Sequence, residues 1–151
     1  MSCAVPVTSP QLRLGDWAGL GEGARAVRGA VFIEEQGVPV ALEWDAEDAV
    51  ALHALVVEAS GRALATARLL PSRGGEARLG RMAVLPAWRG AGWGRLMLRA
   101  LREVARARGD RVLTLSAQCH ALAFYASEGW IAEGPVYLDA GIEHRTMRLC
   151  L

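Results

Sequence analysis

Lysine and asparagine are absent from the 151 residues, so all 17 basic side chains are arginine. Chemistry that needs a Schiff-base lysine, or the lysine of a GxxxxGK[ST] phosphate loop, is thereby excluded. Cysteine is sparse: Cys3, Cys119 and Cys150 are odd in number, far apart, and in no CxxC or Cys/His spacing. That excludes a disulfide framework and a zinc site, and the three read as reduced packing residues with no metal to hold. No run approaches the ~18 apolar residues of a membrane span. The opening MSCAVPVTSP has neither a basic start nor a continuous apolar stretch, so the expectation is a cytoplasmic protein with no membrane partner. Nor is there an excess of one charge: 17 basic against 16 acidic residues give +1, and no global field draws the chain to nucleic acid.

What is present suits one domain over residues 1–151, long enough to bury ~70% of the surface of its unfolded form. QLRLGDW reads as a short edge strand. From Gly23, ARAVRGAVFIEEQ sets Ala26, Val27, Ala30, Val31 and Glu34 on one helical stripe, which GVPV breaks. EWDAED reads as a solvated acidic loop. VALHALVVEA and RALATARLLP, split by Ser60 and Gly61, have hairpin spacing, and EARLGRMAVLP completes an antiparallel meander with His53 in its core. After Arg89 the period becomes helical, with Leu96, Met97, Ala100, Leu101, Val104 and Ala105 on one face and Gly109 at the end. RVLTLSA is a strand, HALAFYASEG a short helix closed by Gly129, and WIAEGPVYLDAGIEHRTMRLCL two strands around DAG. The order predicts an α+β fold.

Between the meander and the long helix stands RGAGWGR, Arg89 to Arg95. The first N–H groups of a helix are unpaired, and its dipole adds about half a positive charge, so this junction suits an anion. Gly90, Gly92 and Gly94 let phosphate oxygens approach the backbone, and Arg89 and Arg95 can add charge-assisted bonds. A plain strand-to-helix turn would use the same residues. The dinucleotide fingerprint fits poorly, since the glycines follow a meander strand and no ribose-binding acid is placed.

LGRMAVLPAWRGAGWGRLML resembles the central motif of the GNAT superfamily of acyl-CoA-dependent N-acyltransferases, a strand, then [QR]-x-x-G-x-[GA], then a helix, with Arg89, Gly92 and Gly94 in register. LSAQCHALAFYASEGW is similar to the next motif, N-x-x-A-x-x-F-Y-x-x-x-G-F, through Ala121, Phe124, Tyr125 and Gly129. Gln118 stands where Asn is usual and Trp130 where Phe is. VRGAVFIEEQGVP, with Glu35 and Gln36, then AQCH, and Ile142 with His144 in GIEHRTM, resemble the ElaA-like branch. The resemblance covers roughly residues 25 to 149 and implies a GNAT-type single domain. Its mixed central sheet would have about six to seven strands, an antiparallel meander plus a splayed C-terminal half, flanked by helices.

That resemblance implies acetyl-CoA as cosubstrate, with the diphosphate on Arg89, Gly90, Ala91, Gly92, Trp93, Gly94 and Arg95. The pantetheine would lie beside Met82, Ala83 and Val84, with the Met82 N–H polarising the thioester carbonyl. Gln118, Ala121 and Phe124 stand with the donor, Phe124 by packing. Tyr125 is the acid for the departing thiolate. His120, His144, Glu35 or an ordered water remain candidates for the base. Glu35, Gln36 and Asp45 are placed at the acceptor, where Glu35, Glu43 or Asp45 would favour a cationic amine. Trp44 and Trp93 cover the pocket or sit on the surface, and Trp88 packs under the loop. Cys119 and His120, being adjacent, point apart and do not make a nucleophile pair. The acceptor is an unidentified small-molecule or peptide amine, and a homodimer through the C-terminal strands, as in many relatives of the superfamily, stays open. A CoA-binding sensor or interaction module without turnover is the competing class, and a nucleotide-binding regulator a third.

Overall fold

The computed structural model describes residues 9–151, so Cys3 lies outside the described residues. Strand β1 (Gln11–Gly15) sits at the sheet edge, and Asp16 then caps α1 (Trp17–Arg28) by accepting from the Gly19 N–H at 2.9 Å. The helix therefore starts six residues before Gly23. Gly19, Gly21 and Gly23 lower helix propensity and hide that start, but Gly21 leaves room for the Trp17 ring of the same helix and Gly23 lets α1 sit close to the sheet, where a Cβ would meet Leu55. The buried stripe is Gly21, Ala24, Val27, Arg28 and Val31, whereas Ala26 and Glu34 are exposed. A π-helical turn, Gly29–Glu35, continues α1 and rotates its last residues relative to an α-helical course. Short helix α2 (Val40–Glu43) and a 3₁₀ turn (Ala46–Val50) follow.

The meander β2 (Leu52–Val57), β3 (Ala63–Leu69) and β4 (Glu76–Val84) is antiparallel, as its alternation implies. Helix α3 (Trp93–Ala107), strand β5 (Val112–Gln118), helix α4 (Leu122–Ser127) and strands β6 (Ile131–Asp139) and β7 (Ile142–Cys150) complete a seven-stranded mixed sheet, ordered β1-β2-β3-β4-β5-β7-β6. Gly109, Gly129 and Gly141 take positive φ at the expected helix ends and at the DAG turn.

Helix α3 buries Met97, Leu98, Leu101 and Ala105 against Ala54, Val56, Leu69, Ala77 and Leu79. The face is rotated from the expected one: Leu98 is inside and Leu96 is 41% exposed. On the other side of the sheet α1 packs Ala24 on Leu55 and Val57, and Val27 and Val31 on Ala83. Among the described residues no helix is long and apolar enough to cross a membrane. Cys119 and Cys150 are free thiols, half-buried and exposed, so Cys150 does not pack in the core.

Candidate active site

Strands β4 and β5 are parallel neighbours for only three residue pairs, Glu76↔Val112, Ala77↔Leu113 and Arg78↔Thr114, and then diverge. Strand β4 also changes register against β3 between Gly80 and Ala83, where Arg81 takes φ 47. This is a bulge, and it leaves Met82 with no cross-strand partner on either side. Into the opening runs a cavity of about 1090 Å³.

At its donor end β4 passes through Pro86–Trp88 into the loop before α3. Among the described residues no protein group accepts from the amides of Gly90 to Arg95, and the ladder of α3 begins with Leu96 N–H to the Gly92 carbonyl at 3.0 Å. Gly90 and Gly92 have φ 80 and 90, with nothing within 4 Å of where a Cβ would stand. The buried Trp93 Nε1 likewise has no acceptor among the described residues. Bare amides, an unmet indole N–H and open space fit the phosphates of CoA. Gly90, Gly92, Trp93, Gly94 and Arg95 line the cavity; Ala91, expected beside them, does not.

Register divides the remaining lining between the two sides of the sheet. Tyr125 belongs to the core on the α3 side, with its hydroxyl 3.7 Å from Met82 Sδ and its ring edge-on to Phe124. Burial pushes its pKa up to about 12, so the phenol stays protonated. On the α1 side, alternation along β5 places Thr114, Ser116 and Gln118 opposite Leu113, Leu115 and Ala117 of the core. His144 is paired with Gln118 and shares that side. His144 Nδ1 lies 2.7 Å from the Ile142 carbonyl, which can only accept, so Nδ1 carries the proton and the neutral ring keeps its lone pair on Nε2. The ring stacks on Tyr137, whose hydroxyl bonds Ser116. His120 lines the cavity but is exposed and makes no hydrogen bond among the described residues.

Several expected ligand contacts are occupied by the protein itself. Arg89 donates to both Glu35 oxygens, at 2.8 and 2.6 Å, and to the Val84 carbonyl at 2.9 Å. The Arg89 bonds hold the Glu35 carboxyl below its usual range. Gln36 and Gln118 exchange amide hydrogen bonds at 3.0 and 2.7 Å, so the two form one tie across the cavity. Trp88 is half-buried against the core and lines the cavity, while Trp44 stacks on Arg28 at 4.9 Å.

The acidic run is not a solvated loop. Glu43 and Asp48 are each 3% exposed and bind the buried Arg28 at 2.7 Å apiece. Arg68 takes Asp48 at 3.0 Å and Asp45 at 2.8 Å, and Arg81 reaches Asp45 at 3.3 Å. Burial raises the Glu43 pKa despite its arginines; for Asp45 the same cost of burial is outweighed by Arg68 and Arg81, and its pKa is lowered. Asp45 thus borders the cavity as part of an ion-pair network. The buried arginines were invisible in sequence because nothing among the 17 marks which are buried. Among the described residues no group of His, Cys, Asp and Glu is arranged to hold a metal.

Residues 21–151 match the family model described as an acetyltransferase (GNAT) domain. Over 122 residues the chain is 34% identical to a Bacillus subtilis protein named as an uncharacterized N-acetyltransferase, YjcF, covering 80% of this chain and 86% of that one. An acyl-CoA N-acyltransferase from Pseudomonas aeruginosa is 34% identical with TM-score 0.81, covering 93% of this chain and 99% of the other. Escherichia coli ElaA is 26% identical with TM-score 0.83, over 93% and 99%. With its sheet, its diverging strands and nearly all of its length accounted for in this way, the chain belongs to the GNAT family of acyl-CoA-dependent acyltransferases.

Proposed function

We propose that the chain moves the acetyl group of acetyl-CoA directly to a primary amine, with Tyr125 as acid and His144 as base. One observation carries this: a single cavity passes between β4 and β5, with a protonated phenol on one side of the sheet and a bare imidazole nitrogen on the other.

The amides of Gly90 to Arg95 bind the diphosphate, and the N–H of Met82, which has no cross-strand pair at the bulge, faces the oxygen on which charge develops. An alkylamine of pKa ~10.4 costs about 4.6 kcal/mol to deprotonate at pH 7, and His144 Nε2 takes that proton. The freed nitrogen adds to the carbonyl carbon as the carbon–sulfur bond breaks. Tyr125 protonates the departing sulfur and recovers a proton from the nitrogen that becomes the amide, so one proton per turnover leaves through His144. Glu35, released from Arg89, holds a cationic amine. Gln36 and Asp45 complete the acceptor wall.

The test is thiol release from acetyl-CoA with a series of amines. Tyr125→Phe is expected to lower kcat about tenfold to thousandfold while CoA affinity stays, and His144→Gln to lower kcat with CoA affinity likewise kept. CoA binding without thiol release from any amine would instead mark a non-catalytic module.

A further inference from the structure

Arginines at the cavity and on the sheet beside it fall into two sets. Arg28, Arg68, Arg81, Arg89 and Arg95 are each committed to a carboxylate. Arg78 lines the cavity, is exposed, and has no ion pair or side-chain hydrogen bond among the described residues. Arg148, beyond the cavity lining, has one weak partner, Glu133 at 3.9 Å, with both side chains more than 40% exposed.

Register brings these two together. Arg78 is paired with Thr114, and Thr114 on its other side with Arg148. Residues paired across strands point to the same side, and neighbouring strands are about 4.8 Å apart, so the two arginines flank the threonine at roughly 10 Å between Cα atoms. The side is that of His144. Helix α1 packs on the meander strands there and on no residue of β5 or β7, where Thr114 and Arg148 are half-buried. Next along β4 on this side, Gly80 has nothing within 4 Å of where a Cβ would stand, so the space before the row is open. Two guanidinium groups and a hydroxyl in a row offer donors suited to a carboxylate or phosphate.

His144 precedes Arg148 by four residues on the same strand, about 14 Å at 3.4 Å per residue, and the reach of the arginines shortens the span to roughly 7–10 Å. We infer that the acceptor is a small elongated amine whose anionic group, carboxylate or phosphate, lies that far from the nucleophilic nitrogen and is read by Arg78, Thr114 and Arg148. The inference rests on the acyl-transfer reading for its nitrogen end. An α-amino acid is too short to reach both ends.

The experiment compares kcat/KM for terminal aminohexanoate and aminooctanoate, and for the matching aminoalkyl phosphonates, with the uncharged amides of the two acids and with glycine. In the wild-type protein an anionic acceptor is expected to exceed its amide by about tenfold or more, glycine to be poor, and the ratio to fall to about one in Arg78→Gln/Arg148→Gln. Carboxylate or phosphonate preference tells which anion is read. A wild-type ratio near one, or a ratio kept in the double variant, overturns the inference and leaves acyl transfer standing. If no amine releases thiol although CoA binds, acyl transfer fails. Calorimetric titration of the amino acids then decides the row by itself: affinity weakened about tenfold in the double variant upholds it, equal affinity ends it. Selective acetylation of lysine in an acidic peptide, with no small amine accepted, also overturns it.

Discussion

A buried imidazole is costly to charge, and His53 is 1% exposed beneath the Trp17 ring, with Nε2 2.8 Å from the Asp48 carbonyl. Burial, aided by the charges of Arg28 and Arg68, holds its pKa below the ordinary 6.5. As pH falls the unfolded chain therefore takes the proton first, so this contribution is complete above about pH 6.5 and is lost below it, toward the depressed folded value. Thermal midpoints are expected to drop more steeply between pH 7 and pH 5.5 in the wild-type protein than in His53→Gln; parallel curves would clear His53 of this role. Its burial was legible in sequence because His53 interrupts an apolar strand. The lone pair of His144 was not legible, because a tautomer is set by the carbonyl that the fold brings to the other nitrogen. Arg78 and Arg148 escaped notice for the same reason: 70 residues separate them in the chain and one threonine separates them in the sheet.

At the scale of elements, the role proposed for the loop before α3 requires its backbone to stay bare. Gly92 holds φ 90 with open space where a side chain would go. Gly92→Val places a β-branched residue in a left-handed conformation, at a cost of about 1–2 kcal/mol or more, and fills the anion cradle. The expected outcome is a folded protein, its melting point a few degrees lower, with CoA affinity reduced at least tenfold by calorimetry; unchanged affinity would mean the diphosphate binds elsewhere. Elements with long, clean periodicity were readable: the meander, α3 and the terminal hairpin. Those shaped by close approach were not. Glycines hid the start of α1, and the π-helical turn answers to tertiary packing that leaves no local signature.

For the molecule as a whole, the notable balance is between apolar and ionic fastening. The segment from Val40 to Val50 exposes Val40, Leu42 and Val50 at 58, 58 and 64% and buries Glu43 and Asp48, so charge rather than grease holds it down. Arg28 ties it to α1 through both carboxylates. Arg28→Ala strands two buried acids and is expected to cost about 3–5 kcal/mol, a large part of the ~5–15 kcal/mol typical of a domain. A urea midpoint within error of the wild-type value would show that water replaces the guanidinium without penalty.

The gap between β4 and β5 has a further consequence, for traffic. Because the cleft is lined from both sides of the sheet, the roles proposed for Tyr125 and His144 bring each substrate to it from its own side. Neither product then blocks the exit of the other, and an acetylated amine can depart while spent CoA is still seated on the glycine loop.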